Sequence, residues 1–391
     1  MKRTSVLFLV VLAQFACVSV WFVPNALIAS PASGISFAMS VGWITAMVQL
    51  GFIAGTFIYA AGNLADRFPP SIVFFISAVC ASAFNLALLY AHEKTGWILG
   101  FRFMTGFFIA GIYPVGMKII ADYFDWDFGN ALGYLVGALV LGTAFPHWLA
   151  SGHWQVDWNQ VITVTSGLAL LGGSMVLFVR KGPFRKTGSR FHPAIMIRVF
   201  KDRKFRSSAL GYFGHMWELY AFWTFLPFLL QRIIQQKGEF THLTVSEAAF
   251  YVIAIGGPAC VLGGFISLRI GSYKVALTAL WMSGICCMLS PWILSWSPAV
   301  QIIFLLLWGI TVIMDSPQFS SLVAQYAPAE NRGTAMTIVN CIGFAITVCS
   351  ILWMGFIKSY VDFRWVFLFL LPGPLFGVWA LYSSRRRSSP A

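Results

Sequence analysis

Long apolar runs separated by short polar turns make up nearly all of this chain. They fall at 5–29, 37–61, 71–91, 97–121, 128–150, 160–179, 207–230, 246–267, 273–295, 299–326, 333–357 and 363–383. A helix that crosses the hydrocarbon layer needs about 20 mostly apolar residues, each rising about 1.5 Å. The pattern therefore predicts an all-α integral membrane protein of twelve transmembrane helices, spans 1 to 12 in chain order. The first run follows Met1, Lys2 and Arg3 as the core of a signal peptide would. It continues to Ala29, too long for that role, and reads as a retained span.

Residues 180–206 break the pattern. They carry ten Lys or Arg against the single acid Asp202, and Pro183, Gly188 and Pro193 interrupt them. A six-span half (1–179) precedes this basic linker and another (207–391) follows it. If the spans cross alternately, nineteen basic residues fall on the linker's side of the membrane and five on the other. Lys and Arg mark the cytoplasmic side of short loops, so the linker and both termini are expected there.

Composition narrows the function. With 59% hydrophobic and 10% charged residues and a mean hydropathy of +0.78, the chain is far from a soluble domain, which carries about 25% charged residues. The net charge of +13 would point to nucleic acid in a soluble protein. Here the basic residues lie in loops and tails, where lipid headgroups and orientation account for them, so no nucleic-acid partner is expected. The seven cysteines sit inside apolar spans without paired spacing, as small buried hydrophobes rather than disulfides or metal ligands. No GxxxxGK[ST] loop, nucleophile–base pair or cofactor motif is present, so neither ATP, a cofactor nor an enzymatic activity is expected.

The two halves share a loop. After span 2 the chain reads Gly62-Asn-Leu-Ala-Asp66-Arg67-Phe68-Pro69, and 202 residues later, after span 8, Gly264-Phe-Ile-Ser-Leu268-Arg269-Ile270-Gly271. Six-span repeats related by an axis along the membrane normal are a transporter architecture. At these residues the chain resembles the major facilitator superfamily, whose loop signature is roughly G-x-x-x-D-R-x-G-R-R. Pro69 and Pro70 replace its glycine and first basic residue, and Leu268 replaces the acid of the second copy. Arg102-x-x-x-Gly106 in span 4 and the loop 327–335 after span 10 match further family patterns. The span-5 glycines 129, 133, 137 and 142 with Pro146 only partly echo the family's antiporter motif, and spans 2 and 8 lack the arginines of nitrate carriers. The stretches beginning at Tyr113 and Gly214 resemble a group of bacterial carriers, implying a bacterial inner membrane.

The resemblance implies roles. Gly62, Asp66, Arg67 and Arg269 would hold one conformation closed at the cytoplasmic face, and spans 1, 4, 7 and 10 would line a central cavity. Charged groups inside a span are costly and usually functional. Arg102, Glu218 and Asp315 lie on three of those four spans, with Gln14 and Asn25 on the first and Tyr113 beside the span-4 motif. Gly211, His215, Glu218 and Phe222 form one stripe of span 7 at helical spacing. His215-x-x-Glu218 is half of a metal site with no further ligands, so no metal is expected. Lys118, near the end of span 4 and close to Asp122, reads as a snorkelling lysine. Glycines 51 and 55 in span 2, and 129, 133 and 137 in span 5, offer smooth ridges for close helix approach.

These readings converge on a monomeric, multi-pass secondary transporter. It would move a small anionic or zwitterionic solute by alternating access, coupled to protons through Glu218 or Asp315, with Arg102 as a fixed positive contact. Two alternatives stand beside it, a proton antiporter exporting cationic amphiphilic drugs and a membrane sensor without flux.

Overall fold

Every expected span is a helix or a pair of helices in the computed structural model, which describes residues 2–28, 41–91, 94–124, 128–152, 156–185, 194–237 and 243–385. Linker residues 186–193 lie outside the described residues, as do Arg386 and Arg387. Span 2 is Val41–Ala61, span 3 Pro70–Leu86, span 5 Phe128–Leu149, span 6 Trp158–Val176, span 9 Ser272–Leu289, span 11 Arg332–Ile357 and span 12 mainly Pro372–Arg385. Span 7, Arg203–Lys237, has 35 residues and overshoots the expected 207–230. At about 1.5 Å per residue it is longer than the hydrocarbon layer, and its added turns carry Arg203, Lys204, Arg206, Arg232 and Lys237.

Four spans are interrupted, each about one turn before a proline. Span 1 is Arg3–Val18 and Val23–Ile28, span 4 is Thr95–Ile109 and Tyr113–Ala121, span 8 is Val245–Ala254 and Gly256–Ile270, and span 10 is Pro298–Met314 and Ser316–Tyr326. The prolines are Pro24, Pro114, Pro258 and Pro317. Proline has no N–H for the carbonyl four residues earlier, and its ring crowds that carbonyl. A freed carbonyl in a membrane needs another donor. In span 10 the carbonyl opposite Pro317 belongs to Ile313 and accepts a 3.6 Å contact from the Cys260 thiol. In span 1 the carbonyl opposite Pro24 belongs to Val20, and its donor is Arg102.

Among the described residues, nine helical stretches are long and apolar enough to cross a membrane by themselves. The remaining three spans are span 1, cut after Val18, span 6, which opens on Trp-Asn-Gln, and span 7, diluted by its charged ends. They pack into the same bundle. In the first half, span 1 lies against spans 5 and 6, span 2 against span 4, and span 3 against span 6. In the second half, span 7 lies against spans 11 and 12, span 9 against spans 10 and 12, and span 8 against span 10. Two seams join the halves, span 2 with span 11 and span 5 with span 8. The second seam depends on glycine. A Cβ at Gly137 would come 2.8 Å from the Gly257 carbonyl, and one at Gly133 3.0 Å from that of Cys260. The Gly51–Gly55 ridge instead faces span 4 within the first half, where added side chains would strike the backbone at Phe103 and Phe107.

Candidate functional site

Arg102 is fully buried and turns toward the interrupted turn of span 1. Its Nη1 donates to the Val20 carbonyl at 3.0 Å, and its Nη2 donates to the Trp21 carbonyl. A cation beside the C-terminal end of the helix Arg3–Val18 also faces the negative end of that helix dipole. The side chain thus does not reach outward to the interface. It replaces the hydrogen bond that Pro24 cannot make and sets the backbone of Trp21, while its Nε has no partner among the described residues. Asn25 donates to Thr45 at 2.8 Å; farther along span 4 the buried Gln14 amide lies against Gly116, without a partner among the described residues. Tyr113, first residue of the second helix of span 4, is buried in the core.

The stripe on span 7 exists, and it packs against span 10 rather than across the junction between the halves. Gly211 meets Phe319, and His215 Nδ1 lies 2.8 Å from Asp315 Oδ1. Phe222 stacks on Trp308 with ring centroids 4.4 Å apart. Glu218 does not share a partner with His215. Its Oε1 accepts from Trp308 Nε1 at 2.8 Å, from Cys287 Sγ at 3.2 Å and from the Ser283 hydroxyl, tying span 7 to spans 9 and 10. Asp315 occupies the single-residue gap of span 10. Its Oδ2 and the His215 Nε2 are buried without a partner among the described residues. Tyr212, one turn from His215, donates to Asn340 of span 11 at 2.8 Å.

What bridges the halves is aromatic. Trp21 stacks on Tyr220 of span 7 and Phe344 of span 11, with centroids 5.8 and 5.9 Å apart and planes inclined by 26° and 19°. Phe52 of span 2 closes the group, 4.4 Å from the Phe344 ring and 5.1 Å from that of Trp21. Phe22 continues it to Trp223. All six rings are buried. Sequence reasoning passed over them, because sixteen tryptophans and 37 phenylalanines mostly read as lipid-facing bulk. The available signal was their place one turn before Pro24 and on the face of span 7 opposite His215.

At the linker's end of the first half, Asp66 pairs with Lys118 of span 4. It sits in a short helix, Leu64–Arg67, entered through Asn63 at φ 53°, a left-handed conformation in place of a glycine. Gly62 packs against Leu64. Arg185 donates to the Asp66 carbonyl at 3.4 Å, and Phe184 N–H to that of Asp122 at 3.0 Å, so the first linker residues are sewn to this corner. Burial pushes the Asp122 carboxyl above its ordinary range, against the pull of Lys118 and Arg185. Arg67 and Arg269 are exposed. Among the described residues Lys118 is a basic partner of Asp66, where sequence reasoning had it snorkelling to water.

A family model described as the Major Facilitator Superfamily matches residues 6–348 and 208–391. Over 116 residues the chain is 31% identical to the niacin transporter NiaP of Acinetobacter baylyi, covering 27% of this chain and 26% of that protein. It is 25% identical over 242 residues to an uncharacterized transporter of Schizosaccharomyces pombe, covering 54% of this chain and 44% of that one. These matches span less than half the length of either curated relative. Among solved structures, the human organic anion transporter MFSD10 (TETRAN) superposes with a TM-score of 0.75 at 15% identity, covering 97% of this chain and 100% of the other. A variant of the nucleoside transporter NupG does so with a TM-score of 0.72 at 13% identity, covering 98% and 100%. At such identities the likeness is one of fold.

Proposed function

This chain belongs to the major facilitator superfamily, and on that premise we propose that it moves a small anionic solute bearing a flat aromatic ring, by alternating access and with proton coupling. The observation that carries the reading is the ring stack of Trp21, Tyr220 and Phe344, which joins the two halves at the level of the span-1 break. A flat solute can take the place of one of these ring contacts at little cost, since stacked or tilted aromatic pairs are worth about 0.5–1.5 kcal/mol beyond area burial. Arg102, buried with no carboxylate paired to it among the described residues, supplies the positive potential behind Trp21. The buried amides of Gln14, Gln49 and Gln318, each with unpaired atoms, supply polar contacts. Niacin, the substrate printed in one relative's name, is a carboxylate on an aromatic ring.

For coupling, His215 and Asp315 serve better than Glu218. They form a buried acid–base pair at a helix gap, and a proton added to it or removed from it changes how span 10 meets span 7. Export of a cationic amphiphile finds less support, because both carboxylates are engaged inside the second half. The linker, its corner at Asp66 and both termini belong on the cytoplasmic side of a bacterial inner membrane in this reading. The test is uptake of radiolabelled niacin and benzoate into proteoliposomes, with and without an inward proton gradient. Uptake accelerated by the gradient is expected, and its absence for every aromatic acid tried, while a non-aromatic solute is carried, would overturn the substrate class.

A further inference from the structure

At the end of span 7 farthest from the linker, a cavity of about 810 Å³ opens between that helix and the turn joining spans 11 and 12. Its chemistry is not that of the central stack. Lys358 is half-buried, with its ammonium 4.8 Å from the ring centroid of Phe228 and 5.6 Å from that of Phe225. Across the cavity the Arg232 guanidinium lies 5.7 Å from the Phe363 ring. Neither cation pairs with a carboxylate among the described residues. Among the described lining residues the one acid, Asp362, is turned to Arg364, accepting from its N–H at 2.9 Å and lying 3.7 Å from its Nε. Gln231, Gln235 and Ser359 add neutral donors.

An ammonium held over two rings has exchanged part of its water for weak attraction to the ring faces, and keeps all three of its N–H donors. Burial correspondingly draws the Lys358 ammonium below its ordinary pKa. Two such cations facing one cavity, with aromatic walls and the described acid of the lining, Asp362, turned to Arg364, select a negatively charged group. The volume falls in the range of small-molecule sites, about 300–1,000 Å³.

We propose that this cavity is a second, peripheral site that binds a small anionic group, carboxylate or phosphate, between Lys358 and Arg232. The group has two possible sources, a free solute anion and the phosphate of an anionic lipid headgroup in that leaflet.

The purified full chain is placed in nanodiscs of phosphatidylcholine alone and in nanodiscs containing phosphatidylglycerol. Acylation of Lys358 by acetic anhydride is followed by peptide mass spectrometry, with exposed Lys274 on the linker's face as reference. Benzoate and inorganic phosphate are added to the phosphatidylcholine discs, with sodium chloride matched for ionic strength. Slowing of Lys358 alone by a free anion, about tenfold at ten times its Kd, and its loss in Arg232→Gln would establish a solute site. Protection only in phosphatidylglycerol discs, lost in the same variant, would assign the site to the lipid headgroup. Arg232 is exposed at the end of its helix, so a thermal unfolding curve of Arg232→Gln overlaying the parent excludes misfolding. If no anion protects Lys358, or if Lys274 slows in parallel, there is no such site.

Discussion

At the scale of single residues, three buried charged groups have three different tasks. Asp315 sits in a helix gap with His215 beside it. Asp315→Asn is expected to abolish uptake driven by a proton gradient while solute exchange at equal pH survives, as proteoliposome flux will show. Glu218→Gln is the contrasting variant. Its carboxylate accepts from Ser283, Cys287 and Trp308, and glutamine keeps one acceptor oxygen. Gradient-driven uptake should therefore persist, with a loss of stability of about 1–3 kcal/mol for a weakened buried site. Full gradient-driven uptake by Asp315→Asn and none by Glu218→Gln would reverse these assignments. Arg102 has a third role, because it holds two backbone carbonyls. Arg102→Leu leaves the Val20 and Trp21 carbonyls unpaired in an apolar interior, at about 1–3 kcal/mol each. A lower thermal unfolding midpoint and weaker binding of niacin are both expected; an unchanged midpoint would mean that the span-1 break needs no donor.

At the scale of elements, four spans break shortly before a proline, while Pro146 and Pro227 lie inside unbroken helices, and the carbonyls freed at the breaks decide what must approach them. Pro24 calls for Arg102, and Pro317 follows the gap in which buried Asp315 sits. The corner at Asp66 works between elements too, joining the helix Leu64–Arg67, the end of span 4 and the first linker residues. If that pair holds the linker's face closed, Lys118→Asp should slow transport severalfold without lowering expression, and the double reversal Asp66→Lys with Lys118→Asp should recover part of the rate. Equal rates in all three proteins would reduce the pair to a solvated turn. Exposed ion pairs contribute only about 0–1 kcal/mol, and this pair is only about one-fifth exposed, so its loss can be felt.

At the scale of the whole molecule, two main seams join the first six spans to the last six, one lined by glycines and one by aromatic rings, with further contacts between spans 1 and 7 and between spans 5 and 10. The orientation of this assembly is open to a direct measurement. With Cys349 replaced, a cysteine at Lys181 should react with impermeant maleimide only from the cytoplasmic side, and one at Tyr360, which is 72% exposed, only from outside. Reaction of the Lys181 label in intact cells would invert the molecule.

The sequence by itself determined the class of the protein, its twelve spans, the shared loop of the two halves, and which few residues carry charge into the membrane. Run length and loop charge are counted along the chain, and the bilayer converts them directly into crossings and sides. The helix breaks at Pro24, Pro114, Pro258 and Pro317 were not legible in this way, because Pro146 and Pro227 lie inside unbroken helices. Tertiary structure alone decided the partners. In a soluble helix the apolar stripe marks the inward face, but here every face is apolar, so the pattern gives length without rotation about the axis. That is why the stripe of Gly211, His215, Glu218 and Phe222 was visible while its neighbour, span 10, was not. It is also why Trp21, Tyr220 and Phe344 were indistinguishable from rings facing lipid. Asp315 lies one hundred residues beyond His215, and only the way spans 7 and 10 pack and turn in the bundle brings the two side chains to 2.8 Å.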